Sequence, residues 1–415
     1  MSILKEKTKW FNEKWWVSPL NYDPELNKHF NISKQVFVRD STIREGEETP
    51  GVYYTLDEKI KIVEMLEELG VEHIDCGYIG QVQDQWELAN QIKELGMKIK
   101  TYSHLSTNPS RWTDEIHKSL EAKLDYIGFG IALTEWQLQL FTKDSNVTPE
   151  VMISLIPSVL KRIKRFGGEA ILDCVDATRS DFSILKKAIE KGVKNGAKMI
   201  MLYDTVGACN IPAISYMFQQ LKPIVKDIPL GIHVHDDFGL GTASTIAAVE
   251  QGAQYMDLVV NKLGDRAGNT SLEEVIISLE MLYGIDTGID LSKLYNLSKH
   301  IEKVSGVPLP YNKPVVGKNT FLHESELHVM GALEKDKFWM CFTPYKPEIV
   351  GQKEKIIFGP TTLHGDAIRM KCEHLGFKNY EKYIKEILDT THTEIIKKKY
   401  ITEKELEELI KELIG

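Results

Sequence analysis

The sequence lacks the paired or clustered cysteines that mark disulfide frameworks and thiolate metal sites. Its five cysteines are scattered, odd in number and not at ligand spacing: Cys76, Cys174, Cys209, Cys341 and Cys372. Disulfides persist in oxidising compartments and are rare in the cytosol. This cysteine usage predicts a reduced, cytoplasmic protein.

Long hydrophobic runs and basic stripes are missing as well. No apolar run approaches the roughly 18 residues that a membrane-spanning helix needs, and no signal peptide is recognisable at residue 1. The 51 Lys and Arg residues are outnumbered by 60 Asp and Glu residues, which gives a net charge of −9. These absences predict that neither a membrane nor a nucleic acid is a partner.

The composition that remains is sufficient for a large buried core. The chain has 415 residues, of which 42% are hydrophobic and 27% charged, which is ordinary for a soluble protein. This length exceeds one small domain, although a single barrel can use about 250 residues.

From Gln35 onward, short apolar segments alternate with amphipathic ones. Eight segments predict strands, at residues 35–40, 73–77, 98–103, 126–131, 170–174, 199–203, 232–235 and 256–260. Helical patterns lie between them, as at residues 56–69, 83–95, 149–166, 181–194, 214–224 and 243–251. Short apolar strands are expected where both faces of a parallel sheet are buried. The alternation predicts an α/β fold, a (β/α)₈ TIM barrel. An open doubly wound sheet is the alternative, but no Gly-x-Gly-x-x-Gly follows the first strand.

Two segments lie outside this alternation. Residues 1–34 are irregular and aromatic-rich, which predicts a strap packed on the main domain or on another subunit. After Leu282 the alternation stops, and prolines at 308, 310 and 314 precede a charged, helical remainder that ends in a helix over residues 403–414. The predicted division is therefore a strap (1–34), a barrel (35–285) and a smaller, mainly helical C-terminal domain (286–415).

Two histidines mark the end of the seventh predicted strand. His233 and His235 are two residues apart in a β-branched run, so their side chains point to the same face. Two imidazoles on one face are half of a transition-metal site. A hydrogen-bonded core position is the alternative for either histidine.

Polar residues also follow most other predicted strands, where barrel enzymes place their active sites. A carboxylate from residues 40–47 could complete the ligand set of the two histidines. Mixed nitrogen and oxygen ligands suit Zn, Mn, Fe or Co, with Mg less expected. A salt-bridge network around the barrel mouth is the alternative; it suits Asp265 and Arg266 but explains seven polar strand ends poorly.

Four barrel motifs stand together in this chain: Asp-Ser-Thr-Ile-Arg-Glu-Gly-Glu at 40–47, Asp-Thr-Val-Gly at 204–207, His-Val-His-Asp-Asp-Phe-Gly at 233–239 and Gly-Asp-Arg-Ala-Gly-Asn at 264–269. Two further motifs follow, at 321–328 and 347–351. With them, residues 35–375 resemble the metal-dependent barrel lyases and synthases that include isopropylmalate synthase, homocitrate synthase and hydroxymethylglutaryl-CoA lyase. The resemblance implies that Glu45, His233 and His235 bind a divalent metal (Mn, Mg or Zn), with Asn269 as a weaker fourth ligand.

The resemblance also implies catalytic roles. The metal would chelate the keto oxygen and carboxylate of a 2-oxoacid. Arg44 would stabilise oxyanion charge, and Thr205 would contact the oxoacid carboxylate. His328 is the expected acid–base group at the methyl of acetyl-CoA, the co-substrate. Asp75, at the strand-2 position where the family usually has Glu, is expected to join the catalytic set.

Several positions depart from the family pattern. The lyases carry a cysteine in the strand-8 loop, and none lies between Gly264 and Asn269, which favours synthesis over cleavage. Val175 stands where the family usually has Glu, and Phe342 where synthases have Tyr. Thr134, Glu135 and Gln137 replace a Ser-Asp-x-His pattern. Because the changes at Val175 and at residues 134–137 fall in the region that shapes the oxoacid pocket, the resemblance does not name the oxoacid. No long effector-binding domain follows, so feedback by leucine is not expected.

The predicted function is that of an acyltransferase that condenses acetyl-CoA with a 2-oxoacid and then hydrolyses the thioester. His104 and Arg179 are predicted to meet a second substrate carboxylate, which favours homocitrate-like or citrate-like chemistry. The predicted assembly is a homodimer with composite active sites, in which the segment around His328 reaches over the partner's barrel. An acyl-CoA carbon–carbon lyase and a catalytically silent homologue are the alternatives.

Overall fold

The chain divides into two compact units. A computed structural model describes residues 8–106, 108–144 and 146–415, without the side chain of Asp336, so residues 1–7 of the predicted strap lie outside the described residues. The larger unit is Leu20–Pro308, and the smaller one combines residues 8–19 with Leu309–Gly415.

A closed parallel barrel forms the larger unit. Its strands are β1 (Phe37–Asp40), β2 (His73–Asp75), β3 (Lys100–His104), β4 (Tyr126–Ala132), β5 (Glu169–Val175), β6 (Met199–Asp204), β7 (Leu230–Val234) and β8 (Tyr255–Leu258). Each strand pairs with its successor, and β1 closes the barrel on β8. The predicted TIM barrel is confirmed, and each predicted strand end lies within about two residues of an observed one, the usual uncertainty of element boundaries.

Helices surround this barrel. They are α1 (Pro24–Asn27), α2 (Leu56–Leu69), α3 (Gln83–Glu94), α4 (Trp112–Glu121), α5 (Glu135–Thr142), α6 (Pro149–Arg165), α7 (Phe182–Lys194), α8 (Ile211–Val225), α9 (Gly241–Glu250), α10 (Leu272–Leu282) and α11 (Leu294–Ser305). The ends of α2 show why such boundaries can be read from sequence. Thr55 and Glu58 form a capping box at its start, and Gly70 ends it at a φ of 103°.

Side chains of alternate strand residues fill the barrel interior. On β4 the inward row is Tyr126, Gly128, Gly130 and Ala132, whereas Phe129 faces outward against Trp112 of α4. Lower in the barrel, Arg39 binds Asp257 at 2.5 Å and its guanidinium lies 4.5 Å from the centre of the Tyr102 ring. This buried ion pair lies beneath the polar residues at the carboxyl ends of the strands.

The smaller unit is mainly helical, as predicted, but also contains a three-stranded sheet in the order β11-β10-β9. Its elements are β9 (Leu322–His323), α12 (Glu326–Leu333), α13 (Lys335–Phe338), β10 (Lys355–Phe358), α14 (Asp366–His374), α15 (Ile384–Lys398), β11 (Ile401–Thr402) and α16 (Glu403–Ile414). Val329, Phe358, Ile368, Ile387 and Leu406 are fully buried in its core.

The observed division differs from the predicted boundaries at 34 and 285. Helix α11 packs on α2, and Asn261 Nδ2 donates to the carbonyl of Ser298 at 2.8 Å, so α11 belongs to the barrel unit. At the other boundary, Trp16 N donates to the carbonyl of Pro344 at 2.8 Å, which joins residues 8–19 to the smaller unit. The rest of the predicted strap packs on the barrel, where Tyr22 donates to the carbonyl of Met281 at 2.7 Å.

Among the helices of the described residues, none is both long and apolar enough to cross a membrane.

Candidate active site

Three potential metal ligands converge at the carboxyl end of the barrel. Glu45 begins the turn after β1, His233 lies on β7, and His235 directly follows that strand. All three are buried, and one ligand atom from each lies within 4.8 Å of the other two. Glu45 Oε1 is 3.6 Å from His233 Nε2, and Glu45 Oε2 is 3.8 Å from His235 Nε2.

Asn269 adjoins this cluster, and its bonding fits a metal site. Its Nδ2 donates to Glu45 Oε2 at 3.2 Å. Its Oδ1 and the Nδ1 of His235 are buried and have no hydrogen-bond partner among the residues that the structure describes. Two imidazoles, a carboxylate and an amide oxygen form a ligand set that suits a divalent transition metal. The residues present therefore fit the divalent metal that the sequence resemblance implies.

Protonation in the cluster favours metal binding. Burial, together with neighbouring His233, lowers the pKa of His235 to about 4, so its imidazole is neutral near pH 7. Burial alone would raise the pKa of Glu45, but Arg44 and the two histidines lower it below its ordinary value. Metal binding requires neutral imidazole and ionised carboxylate, and both forms are favoured here.

A carboxylate behind His233 fixes the orientation of its ring. Asp257 on β8 stands opposite His233 in register, and its Oδ2 lies 2.8 Å from His233 Nδ1. Burial opposes ionisation of Asp257, but Arg39 and His233 hold its pKa well below the ordinary range. The ionised carboxylate can accept a hydrogen bond from Nδ1–H, which leaves Nε2, the ring nitrogen beside Glu45, available to a metal. Asp257 is not among the residues predicted from the sequence, although a lone carboxylate in an apolar strand indicates a buried partner.

Main-chain hydrogen bonds join the loops that carry the ligands. His235 and Asn269 form an isolated antiparallel bridge, Asp236 N donates to the carbonyl of Gly268 at 2.9 Å, and Thr270 N donates to that of Val234 at 3.0 Å. Gly264 has a φ of 137°, and a Cβ there would lie 2.0 Å from Asn269 Nδ2. This glycine is therefore needed for Asn269 to approach the cluster.

Arg44 lies beside the cluster with one free donor. Its Nε donates to Asp75 Oδ2 at 2.8 Å, and its Nη1 contacts Glu45 and lies 3.2 Å from Glu48 Oε1. Its Nη2 is buried and has no hydrogen-bond partner within the described part of the chain. Burial works against the charge, but the adjacent carboxylates, Asp75 first among them, hold the pKa of Arg44 well above its usual value. A permanent cation with an unused N–H can stabilise a developing oxyanion.

Asp75 orients Arg44 from below the cavity. It is fully buried, and its Oδ2 also accepts from His104 Nε2 at 2.9 Å. Burial opposes its charge, but Arg44 and His104 keep the pKa of Asp75 well below its ordinary range. Asp75 is not among the residues that line the cavity, so its geometry is that of a positioning residue.

A cavity of about 370 Å³ opens between the cluster and the ends of β3, β4 and β5. Its polar wall, on β1, β6, β7 and β8 and the loops that follow them, consists of Arg44, Glu45, Glu48, Tyr203, Thr205, His233, His235, Asp265 and Arg266. Its apolar wall consists of Leu105, Trp112, Gly130, Ala132, Leu138, Phe141, Met152 and Val175. Tyr78, His104, Thr142 and Asp173 complete the lining.

The other predicted site residues differ in where they lie. Thr205 lines the cavity, and so does His104. Arg179 does not; its Nε donates to Asp176 at 2.9 Å, and about half of its side chain is exposed. His328 belongs to the smaller unit, where its ring stacks on Phe342 with centroids 4.0 Å apart. The role of His328 stays a prediction.

The chain is similar to several named synthases. It is 33% identical to homocitrate synthase AksA of Methanopyrus kandleri, with 95% of this chain and 96% of that protein covered. It is 33% identical to 2-isopropylmalate synthase of Methanocaldococcus jannaschii, with coverage of 94% and 73%. It is 32% identical to (R)-citramalate synthase CimA of the same organism, with coverage of 92% and 75%.

Solved structures and a family model agree with this likeness. The HMG-CoA lyase from Brucella melitensis matches 66% of this chain and 100% of its own, with a TM-score of 0.58 and 18% identity, which supports the fold. The model of the HMGL-like family matches residues 35–301, more than half of the chain. Both the barrel and the resemblance inferred from the motifs are thereby confirmed, and the chain belongs to the HMGL-like family.

Proposed function

We propose that this protein condenses acetyl-CoA with a 2-oxoacid and hydrolyses the resulting thioester. The observation that carries the proposal is the buried Glu45–His233–His235 cluster on the wall of a small-molecule cavity, with the free N–H of Arg44 beside it. The similar homocitrate, isopropylmalate and citramalate synthases support the reaction class.

Glu45, His233 and His235 are the residues that would hold a divalent metal, with the Oδ1 of Asn269 as a further ligand. When bound, such a metal supplies Lewis-acid polarisation of the oxoacid's keto group. We propose that Thr205, which lines the same wall, orients the oxoacid carboxylate. We leave Mn, Mg and Zn open, because the ligand set suits more than one of them.

The chain's own contribution to the carbon–carbon bond is electrostatic. A base, for which we propose His328, first takes a proton from the methyl group of acetyl-CoA. As the resulting carbanion attacks the keto carbon, negative charge grows on the former keto oxygen, which a proton then neutralises. Asp75 holds the guanidinium of Arg44 through Nε, and Nη2, which is buried without a partner among the described residues, can stabilise that charge. Subsequent hydrolysis of the thioester releases free CoA and makes the condensation irreversible.

Synthesis is favoured over the lyase reaction for two reasons. The homocitrate and isopropylmalate synthases named above are 33% identical to this chain, whereas the likeness to the HMG-CoA lyase at 18% identity concerns the fold. In addition, the loop from Gly264 to Asn269 contains no cysteine.

The test is CoA thiol release from acetyl-CoA plus a panel of 2-oxoacids, followed by mass analysis of the product. We expect thiol release that depends on both substrates and a product heavier than the oxoacid by one acetic acid. Glu45→Gln is the inactive control, and Glu121→Gln, at an exposed position of α4, is the matched active one. Thiol release without an oxoacid, or cleavage of an acyl-CoA instead, would contradict the proposal.

We also propose a cytoplasmic homodimer with composite sites, in which His328 serves the partner's barrel. The test combines two inactive variants, His233→Ala and His328→Ala, in one mixed dimer. If sites are composite, one of the two sites is intact, and purified mixed dimers recover about half of the wild-type rate. Mixed dimers as inactive as their parents would show that His328 does not complete the partner's site.

A further inference from the structure

We infer that the oxoacid taken by this site carries an uncharged, apolar side chain larger than the methyl group of pyruvate. This inference rests on the proposed condensation and adds the substrate class to it. The observation that supports this inference is the apolar wall, which lies across the cavity from the metal-ligand cluster.

The inward row of β4 leaves space on this wall. Gly130 and Ala132 pair with Asp173 and Val175 of β5, and all four line the cavity. A Cβ added at Gly130 would meet only Val175 Cγ2, at 3.8 Å, within 4 Å. Gly128, two residues earlier, has no such space, because a Cβ there would lie 1.9 Å from Tyr102 Oη. The cavity thus extends over Gly130 and ends at Gly128.

Two lining residues of this part of the cavity, Trp112 and Thr142, have their polar side-chain atoms bonded to main-chain carbonyls. Nε1 of Trp112 donates to the carbonyl of Ser106 at 2.7 Å, so the ring presents carbon to the cavity. The hydroxyl of Thr142 donates to the carbonyl of Leu138 at 2.7 Å. Leu105, Trp112 and Leu138 are less than 5% exposed, which makes this part of the wall dry and firmly packed. Such a surface favours apolar substituents.

Apart from Arg44, which the proposed condensation uses, the described lining residues offer no cation that lacks a carboxylate partner and could bind a second substrate carboxylate. His104 has Asp75 at 2.9 Å from Nε2 and Asp173 at 3.4 Å from Nδ1, so its charge is matched on both sides. Arg266 is held by Asp237 at 2.8 Å and by Asp265 at 2.6 Å. Arg44 adjoins the metal-ligand cluster, and these are the cationic side chains among the described lining residues.

Charge at the boundary of the apolar wall also opposes a dicarboxylic substrate. Asp173 lines the cavity next to Gly130, and Val175 stands where the resemblance leads one to expect Glu. A second carboxylate here would be desolvated beside a like charge, which is costly. The second carboxylate predicted for His104 and Arg179 is therefore not favoured by the geometry, since Arg179 lies outside the lining.

The first experiment measures binding without turnover. Pyruvate, 4-methyl-2-oxopentanoate, 3-phenylpyruvate and 2-oxoglutarate are titrated by calorimetry into Mn²⁺-loaded wild-type protein without acetyl-CoA. We expect the two apolar oxoacids to bind at least about tenfold more tightly than pyruvate or 2-oxoglutarate, since each buried methylene adds roughly three- to fourfold. Tightest binding of 2-oxoglutarate, or no gain over pyruvate, would overturn the inference.

The second experiment locates the effect. Gly130→Val fills the open space and should lower the affinity ratio of 3-phenylpyruvate to pyruvate by at least about tenfold. Ile131→Val, on the opposite face of β4, is the matched control and should leave this ratio unchanged. If Gly130→Val leaves this affinity ratio unchanged, the substrate side chain does not lie over Gly130. If Gly130→Val does not fold, Gly130→Ala tests the same ratio with a smaller expected change.

Thiol release with the same panel separates the two proposals. Apolar preference in binding without any thiol release would overturn the condensation and support the inference about the pocket. Thiol release that is fastest with 2-oxoglutarate would support the condensation and overturn the inference.

Discussion

The two walls of the cavity are built in different ways. On the polar wall, charged groups are linked into a continuous network: Asp257 holds His233, Glu45 lies between both histidines, and Asp75 holds Arg44. On the apolar wall, single side chains such as Val175 and a bare glycine at 130 determine the shape. A change in the polar wall therefore affects several groups at once, whereas a change in the apolar wall is local.

The largest expected effect is the loss of a metal ligand. His233→Ala or Glu45→Ala should remove the bound divalent metal and reduce thiol release below detection, because each deletes one of three clustered ligands. Metal content by plasma mass spectrometry and thiol release are the measurements. His29→Ala, at an exposed histidine of the same unit, is the control. A variant that retains full metal and activity would show that the cluster is structural.

A smaller loss is expected from Arg44→Lys. Lysine keeps the charge but lacks the planar guanidinium, whose Nε binds Asp75 while Nη2 remains as a further donor. Thiol release should therefore fall by roughly two to three powers of ten. The variant should retain its metal, since Arg44 is not a ligand. Arg369→Lys, in the smaller unit, controls for the substitution itself. Near wild-type turnover would reduce Arg44 to an ion-pair partner.

Asp257→Asn tests the support behind the cluster. Its amide can no longer fix the His233 tautomer as an ionised carboxylate does, so metal affinity should fall by about 10- to 100-fold. A competition titration with a chelating dye gives the affinity. At saturating metal, most of the activity should return. An unchanged metal affinity would mean that Asp257 serves only as the ion-pair partner of Arg39.

The smallest expected effect is a pH dependence of stability at His104. Asp75, Asp173, Tyr102, Tyr78 and Arg44 surround its ring. Burial lowers the pKa of His104, but the two carboxylates outweigh it and raise the pKa above 6.5. Its stabilising contribution is therefore complete below the unfolded-state pKa and is lost as pH rises through the folded-state value.

Denaturant titrations at several pH values from 6 to 9 measure this contribution. The difference in unfolding free energy between wild type and His104→Gln should shrink as pH rises across that range. His392→Gln, at an exposed position of α15, should show no such trend. A difference that grows with pH would mean that His104 is buried in its neutral form.

The strands, the metal-ligand candidates and the family were predictable because each follows from local pattern. The helix at Leu56–Leu69 matches its prediction because a capping box and a terminal glycine define it. Asp257 was missed because its partner His233 is 24 residues away, and only the barrel register joins them. Gly130 was missed for a similar reason: its open space depends on Val175 of the next strand.

The role predicted for Arg179 stays a prediction, and its observed partner could not be read from the sequence. A cation after a barrel strand is a reasonable candidate for binding a substrate carboxylate. Asp176, three residues earlier and in the left-handed backbone region, instead forms an ion pair with Arg179 at 2.8 Å. Sequence reasoning places a residue at a strand end but does not tell which neighbour its side chain binds. The same limit applies to the boundaries of the units, because α11 joins the barrel through contacts with α2 and Asn261.

The main-chain bridge between His235 and Asn269 has a consequence for how this protein can change over time. Peptide groups hold these two residues in place, and peptide groups are indifferent to point mutation at most positions. The pocket wall on β4 and β5 is instead made of side chains, which a single nucleotide change can replace. New substrates are therefore accessible by altering Gly130, Ala132 or Val175 while the catalytic apparatus stays intact. In this architecture, selectivity can diverge without a period of lost activity.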